Sequence, residues 1–268
     1  MCGNYPLVSI IIPTRNSFGL IRNCINSILD RTNYSNYEIL IIDNQTEDEE
    51  ALEYLDKINA EHDNVFVLKW SRSFNYSAIN NYGVKHANGD FICLLNNDTE
   101  IITPGWLGEM VAYAAQADIG CVGAMLYYQD NTIQHAGVVL GIGGNHIADH
   151  VFKRYNRSDF KDNAILDSVR EVSAVTAACL VVKKNIYEQV DGFDDDNLKI
   201  AYNDVDFCLK VREEGYRNLF LPHAELYHFE SRSRSKWPYI KRWWHLYWET
   251  RYMKKKWGDK LLVDPYGV

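Results

Sequence analysis

Residues 8 to 13 read Val8-Ser9-Ile10-Ile11-Ile12-Pro13, a nearly continuous apolar run rich in β-branched side chains. Similar runs follow at residues 37–43, 65–70 and 90–96, and helix-patterned segments at 18–30, 47–60 and 75–87 separate them. Continuous apolar runs that alternate with helices are typical of parallel strands buried on both faces. The first hundred residues therefore predict an α/β fold with a mostly parallel sheet.

The pattern changes after residue 103. We predict a helix over residues 104–117, followed by strands of a mixed sheet over 119–126, 132–140 and 174–182. Asn203 is predicted to cap a helix that ends before Gly215, and short strands follow over 216–222 and 224–228. Because no Pro- or Ser-rich linker interrupts the chain, we predict a single domain over 1–268, with halves 6–103 and 104–235 and a C-terminal segment 236–268.

Composition excludes some classes of protein. The net charge of −8 argues against a nucleic-acid partner, whose phosphates require a basic surface. The six cysteines are scattered without a C-x-x-C pair, which indicates reduced core residues of a cytosolic protein. The first residues lack the features of a signal peptide, and no apolar run approaches the roughly 18 residues that span a bilayer. We therefore expect a soluble, cytoplasmic protein.

Three residues distant in sequence carry candidate chemistry. Asp98 follows the apolar run 91–95, at the kind of strand end where open sheets bind ligands, and its oxygens suit Mg²⁺ or Mn²⁺. His228 follows a later strand and is a second candidate ligand. Asp204 lies in the first turn of a predicted helix and is a candidate general base. Taken singly, each also fits a structural role: a turn residue, a half-buried histidine or a partner of the helix dipole.

Their order along the chain carries a resemblance to a known family. The motifs are Val8-Ser9-Ile10-Ile11-Ile12-Pro13-Thr14-Arg15-Asn16, Ile41-Ile42-Asp43-Asn44, Leu95-Asn96-Asn97-Asp98, Asn203-Asp204-Val205-Asp206-Phe207-Cys208-Leu209-Lys210 and Leu226-Tyr227-His228. Together they resemble family 2 glycosyltransferases with the GT-A fold, especially bacterial enzymes of O-antigen, capsule or rhamnan chains, which are often modules of longer proteins. The resemblance implies that 6–103 is a Rossmann-like, nucleotide-sugar-binding half and that 104–235 is a mixed-sheet, acceptor-binding half.

The resemblance also implies roles for residues. Asp98 and His228 are expected to hold Mn²⁺ or Mg²⁺, and Asp204 to act as the base of an inverting displacement. The donor is expected to be a UDP- or dTDP-sugar, and the acceptor a hydroxyl of a growing surface glycan or a lipid-linked acceptor. The expected nucleotide-sugar contacts are Pro13, Thr14, Arg15, Asp43, Asn44, Arg72, Asn80, Asn96 and Asn97.

The chain departs from the family pattern at two positions. Asn96 stands where the D-x-D motif has its first Asp, which puts the affinity for metal in doubt. Asn203 stands where the family has the Glu of an E-D pair, which leaves Asp204 as the candidate base of that pair.

Other segments leave alternatives open. Arg232 and Arg234 fit either a loop that closes over the diphosphate or a solvated loop. The aromatic and basic residues 237–257 fit docking on an anionic membrane surface, at the inner face of the plasma membrane, or packing on their own domain. We interpret the segment of His146 and His150, with His135 nearby, as an acceptor-side or lid loop rather than a zinc site. Two rival functions are a sugar nucleotidyltransferase and a non-catalytic nucleotide- or carbohydrate-binding module.

Overall fold

A computed structural model describes residues 5–160, 164–230 and 239–267. Its first half confirms the predicted alternation of strands and helices. The elements are β1 (Val8–Thr14), α1 (Phe18–Arg31), β2 (Tyr37–Asp43), α2 (Glu49–Glu61), β3 (Val65–Lys69), α3 (Tyr76–His86) and β4 (Phe91–Leu95).

The second half has shorter and more varied elements. They are β5 (Thr99–Ile101), α4 (Trp106–Ala114), β6 (Ile119–Tyr127), β7 (Ile133–His135), β8 (Val138–Leu140), β9 (Ala148–His150), α5 (Ala164–Asp167), β10 (Arg170–Val172), β11 (Cys179–Lys183), α6 (Lys184–Gln189), α7 (Asn203–Glu213), β12 (Arg217–His228) and α8 (Tyr239–Trp257).

Four predicted strands need correction. The strand expected over 132–140 is two strands, β7 and β8, because Gly137 between them adopts a φ of 101° that breaks an extended chain. The strand expected over 174–182 begins only at Cys179. The two short strands expected around Pro222 form one, β12, whose pairing with β6 resumes after a register shift between Leu221 and Glu225.

One sheet joins the two halves, in the order β10-β12-β6-β11-β4-β1-β2-β3. The strands β4, β1, β2 and β3 pair in parallel, whereas β11 runs antiparallel to both β4 and β6. At the other end, β12 is parallel to β6 and antiparallel to β10. This arrangement confirms the parallel first half and the mixed second half.

Apolar clusters cover both faces of the sheet. On one face Ile10 packs in a cluster with Ile25 of α1 and Trp106 of α4, and all three are fully buried. On the other face Ile11 belongs to the cluster that includes Phe207 of α7. Successive residues of β1 thus face opposite cores, which explains its continuous apolar sequence.

The helix α8 packs on its own domain through its last half. The Trp257 indole N–H donates to Asp206 Oδ1 at 2.8 Å, and the Lys256 ammonium lies 2.7 Å from the same oxygen. The earlier aromatic side chains Trp244 and Trp248 are 50% and 57% exposed. Packing is therefore confirmed for the end of this helix, whereas its earlier aromatic side chains are exposed.

Among the described residues, no helix combines the length and the apolar character needed to cross a bilayer.

Substitution of Gly123 by Ala should destabilise the protein by about 1–3 kcal/mol, because a Cβ atom there would lie 2.4 Å from Cβ of the buried Val175. The free energy of unfolding in urea measures the effect. Gly144→Ala is the matched control, since nothing lies within 4 Å of its added Cβ, and its change should stay within about 0.5 kcal/mol. Equal stabilities of the two variants would contradict the packing described for β6.

Candidate functional site

The carboxyl ends of β1, β4 and β12 meet the start of α7 around one cavity. Its volume is about 400 Å³, and its lining includes the candidate residues Asp98, Asp204 and His228. The structure thus brings together three residues that lie up to 130 positions apart (228 minus 98). Ligand binding beyond the carboxyl ends of strands is the general behaviour of such sheets.

Strand pairing sets His228 against Asp98. The end of β12 pairs antiparallel with β5, which opposes His228 to Thr99, the residue that follows Asp98. His228 Nε2 lies 3.1 Å from Asp98 Oδ1, and both side chains are buried. The two groups predicted as metal ligands are therefore in direct contact.

Gln134 determines which nitrogen of His228 carries the proton. The amide nitrogen Nε2 of Gln134 lies 3.2 Å from Oε2 of Glu230 and donates to it, because a carboxylate oxygen accepts hydrogen bonds. The amide oxygen Oε1 of Gln134 is therefore the atom that faces His228 Nδ1, 2.6 Å away. Since an amide oxygen also only accepts, Nδ1 carries the proton. In the neutral ring the lone pair is then on Nε2, which faces Asp98 and also lies 3.2 Å from the Asn96 amide nitrogen.

These residues fit a divalent cation. Within the described chain, no group of three or more His, Cys, Asp or Glu side chains is arranged to hold a metal ion. A lone pair and a carboxylate oxygen that face each other across 3.1 Å are nevertheless suited to a shared cation. Mg²⁺ in nucleotide sites commonly takes one or two protein ligands and completes its coordination with water and phosphate. Asp98 supplies such a carboxylate, and His228 Nε2 adds a nitrogen donor 3.1 Å from it.

Asp204 lies at the cavity in the first turn of α7. Its Oδ2 accepts a hydrogen bond from the Ala177 N–H at 3.2 Å, and its Oδ1 accepts one from the Val205 N–H at 2.9 Å. These two hydrogen bonds hold the carboxylate in one orientation. Asp206, two residues on, is fully buried against Trp257 instead, as expected for residues separated by about 200° around a helix.

The predicted cap of α7 needs correction. The residue that precedes the helix is Tyr202, with a left-handed φ of 59° and no capping hydrogen bond from its side chain. Asn203 is the first helical residue, and its amide donates to Ser77 Oγ at 3.2 Å. The preference of Asn for capping positions predicts that it lies near the start of the helix. It does not predict the hydrogen bond from Asn203 to Ser77 of α3.

The residues predicted for the nucleotide divide into two groups. Those that line the cavity are Pro13, Thr14, Arg15, Asn44, Asn96 and Asn97. The Asn97 amide donates to Thr14 Oγ1 at 2.9 Å, which links the ends of β4 and β1. This polar edge is the part of the cavity that belongs to the parallel half of the sheet.

Three other predicted residues are not among the lining residues. Asp43 accepts a hydrogen bond from the Thr46 N–H at 3.0 Å, within its own turn. The Arg72 guanidinium lies over the Trp70 ring at 5.4 Å, and Asn80 is fully buried in α3, where its amide donates to the Tyr76 carbonyl. Arg232 and Arg234 lie outside the described residues.

Sequence reasoning missed several side chains at the site. Gln134 and Glu230 line the cavity and support His228, and Tyr76 donates to Asn96 Oδ1 at 2.9 Å. No motif surrounds Gln134, because its role follows from where β7 lies rather than from its neighbours in sequence. The available signal in the sequence is weak: Gln134 is a polar residue between Ile133 and His135 in a short strand whose residues are all buried.

His135, at the end of β7, and His150, at the end of β9, form a partly buried pair. His135 is fully buried, His150 lines the cavity, and their Nδ1 atoms lie 2.8 Å apart. Burial lowers the pKa of His135 well below 6.5, and burial also lowers the pKa of His150. Both rings are therefore neutral at pH 7.

Comparisons with known proteins establish the family. Residues 9–168 match the model of Glycosyl transferase family 2, which is more than half of the chain. The chain is 44% identical over 260 residues to the uncharacterized protein y4gI of Sinorhizobium fredii, which covers 97% of this chain and 28% of that protein. It is 34% identical over 230 residues to the O-antigen biosynthesis protein RfbC of Myxococcus xanthus, with 85% and 18% covered. The chain therefore belongs to glycosyl transferase family 2, and it spans less than a third of the length of either relative.

Solved structures share the fold. The crystal structure of GalNAc-T7 with UDP, GalNAc and Mn²⁺ superposes with a TM-score of 0.70 at 16% identity, covering 84% of this chain and 44% of that one. The mannosyltransferase PcManGT from Pyrobaculum calidifontis, in complex with GDP-Man and Mn²⁺, gives 0.65 at 16% identity, with 94% and 66% covered. These likenesses confirm the GT-A fold that the sequence resemblance implies.

The buried histidine pair should make stability depend on pH. Because the folded pKa values are lowered, the unfolded chain binds more protons, and stability falls as the pH drops below about 6.5. We expect a loss of about 1–2 kcal/mol between pH 7 and 5.5, measured by urea unfolding. A chain carrying His135→Gln and His150→Gln serves as the reference, because it keeps every other titrating group. Parallel pH profiles for the two chains would contradict the prediction.

Proposed function

We propose that this chain transfers a hexose or deoxyhexose from a UDP- or dTDP-sugar to a hydroxyl of a growing cell-surface polysaccharide, with inversion and with a divalent metal. The observation that carries the proposal is that the Asp204 carboxylate lines the same cavity as the contacting pair Asp98 and His228. Family membership supports the reaction class. The name of the Myxococcus relative, an O-antigen biosynthesis protein, supports the polysaccharide acceptor.

The proposed chemistry assigns one task to each group. Asp204 accepts the proton of the acceptor hydroxyl, whose oxygen forms a bond to the anomeric carbon while the bond from that carbon to the diphosphate oxygen breaks. This single displacement inverts the anomeric centre. Asp98 and His228 hold Mn²⁺ or Mg²⁺, which when bound supplies the positive charge that stabilises the departing diphosphate.

The nucleotide is proposed to occupy the polar edge formed by Pro13, Thr14, Arg15, Asn44 and Asn97 at the end of the parallel strands. Arg15 is the cationic side chain on this edge, and its guanidinium also lies 3.9 Å from Glu47. Contacts of Asp43 and Arg72 with the nucleotide would require a wider binding surface than this cavity, and a contact of Asn80 would also require α3 to expose an amide that is fully buried. Arg232 and Arg234 are proposed to close over the diphosphate.

One experiment separates the proposed function from its rivals. The chain is incubated with a panel of nucleotide-sugars, Mn²⁺ and methyl glycoside acceptors, and the products are identified by mass spectrometry and NMR. Release of UDP or dTDP with an inverted glycosidic bond, abolished by EDTA, is the expected result. Pyrophosphate released in a parallel incubation with nucleoside triphosphates and sugar 1-phosphates would indicate a sugar nucleotidyltransferase, which joins these two substrates and expels pyrophosphate. Tight nucleotide binding without turnover would indicate a non-catalytic module, which the amide at Asn96 would favour.

Asp204→Asn should lower kcat by about 10²- to 10⁴-fold, because an amide cannot take the proton of the acceptor hydroxyl. Binding of the nucleotide-sugar, measured by titration calorimetry, should be unchanged, since the amide oxygen can still accept the Ala177 N–H. Asp63→Asn makes the same chemical change at an exposed position on the turn before β3 and should keep full activity. Full activity of Asp204→Asn would refute its role as the base.

We also propose that α8 docks on an anionic membrane, at the inner face of the plasma membrane, where lipid-linked acceptors are presented. Trp244, Tyr247 and Trp248 are exposed on this helix, and Lys254 and Lys255 follow in its last turn. Leu246, between these aromatics, lines the cavity. Aromatic side chains with nearby bases are typical of surfaces that settle at the membrane interface.

Loss of both exposed tryptophans, Trp244→Ser with Trp248→Ser, should weaken binding to vesicles of phosphatidylglycerol and phosphatidylcholine by at least about tenfold, because their burial in the interface is lost. Co-sedimentation measures the binding. Phe66→Ser removes a 41% exposed aromatic from β3 and should leave it unchanged. Equal binding by all three chains would count against membrane docking through α8.

A further inference from the structure

The pair His135–His150 has a geometry that determines where its protons lie. The two Nδ1 atoms face each other at 2.8 Å, and the rings meet edge to face with centroids 4.9 Å apart. At this distance one Nδ1 donates a proton and the other accepts it. Burial lowers the pKa of both rings, and the neighbouring charge of His150 lowers the pKa of His135 further, so each ring is neutral and carries one proton.

The second nitrogen of His135 decides the direction of that hydrogen bond. His135 Nε2 is buried and has no hydrogen-bond partner. If it carried the proton, a donor N–H would be buried unpaired, a situation that is rarer in proteins than an under-satisfied acceptor. The proton of His135 is therefore on Nδ1, which donates to Nδ1 of His150. His150 must then carry its own proton on Nε2.

His150 is one of the residues that line the cavity. It is the last residue of β9, which pairs with β8 to form a hairpin in the mixed half of the fold. Its Nδ1 is used by His135, so Nε2 is the nitrogen left for a ligand. The carboxylate of Asp204 is close enough to act electrostatically on the His150 ring, as are Asp149, Lys153 and Glu230.

The pair does not have the geometry of a metal site. Its two Nδ1 atoms are directed at each other, so a metal would have to replace their hydrogen bond. No third His, Cys, Asp or Glu joins them in a metal-binding group anywhere in the described part of the chain. The arrangement instead suits a hydrogen-bond donor, because the buried His135 fixes the tautomer of His150, the residue that lines the cavity.

We infer that His150 binds the acceptor sugar, donating its Nε2–H to an oxygen next to the hydroxyl that reacts, and that His135 is a positioning residue that holds His150 in this tautomer. The inference rests on the proposed function. A donor beside Asp204 orients the acceptor sugar without competing for the proton that the base removes. The nucleotide edge belongs to the other half of the sheet, so His150 contacts the acceptor and not the nucleotide.

Kinetics test the contact in the full chain, with whichever methyl glycoside the wild-type chain glycosylates. His150→Ala should lower kcat/KM for that acceptor by about tenfold, the equivalent of one hydrogen bond. The KM of the nucleotide-sugar and its slow hydrolysis by water should not change. His150→Gln, whose amide can donate from a position near Nε2, should recover part of the loss. An unchanged kcat/KM for the acceptor, or an equal rise in the KM of the donor, would overturn the inference.

Histidine NMR tests the tautomers and needs no transfer activity. In the ¹⁵N-labelled chain at pH 7, long-range ¹H–¹⁵N spectra should show a neutral His150 protonated at Nε2 and a neutral His135 protonated at Nδ1. His135→Gln and His150→Gln assign the signals. Addition of the methyl glycosides of glucose, galactose, mannose and rhamnose should shift the His150 Nε2–H for at least one sugar. A His150 protonated at Nδ1, or no shift with any sugar, would refute the inference.

The outcomes for the two proposals are distinguishable. A chain that transfers sugar while His150→Ala is as efficient as wild type refutes only the role of His150. A chain that releases no nucleoside diphosphate from any donor refutes the proposed function, and the shift of the His150 signal then still decides whether this face binds a sugar.

Discussion

The pairing of β12 holds the candidate site together. This strand runs parallel to β6 in the sheet, and its last residues then pair antiparallel with β5, the strand that begins just after Asp98. The hydrogen bonds that end β12 therefore also set His228 against Asp98. Because a slip of one residue turns every side chain of a strand to the opposite face, this register decides whether the two groups meet at all.

The charged side chains around the cavity explain why an anionic ligand would need a cation in order to bind there. The charged side chains of its lining are Asp98, Asp149, Asp204 and Glu230 on the acidic side and Arg15 and Lys153 on the basic side. The chain as a whole has a net charge of −8. A diphosphate entering this field would be repelled unless a cation accompanied it, and the contact between Asp98 Oδ1 and His228 Nε2 is suited to that cation.

The C-terminal helix stabilises the segment that leads into Asp204. The buried Glu249 of α8 accepts hydrogen bonds from the N–H groups of Ile200 and Ala201, both at 2.9 Å. Asp206 on α7 binds Trp257 and Lys256 of α8 in turn. The left-handed Tyr202 lies between these two attachments. The strain of its backbone is thus held by contacts on both sides, and these contacts fix the first turn of α7 at the cavity.

The sequence by itself determined the alternating first half, from the apolar runs of β1 to β4, and the choice of Asp98, Asp204 and His228 as candidate site residues, from motifs in a fixed order. Those signals are local, since each depends on a residue and its neighbours in the chain. Only the tertiary structure decided the split of the strand at Gly137, the orientation of Gln134 toward His228 and the pairing of His135 with His150. These three features depend on strand register and on which buried polar atoms find hydrogen-bond partners. Both are set by residues tens of positions away in the sequence, because a buried polar group must bond to the groups that the fold places beside it.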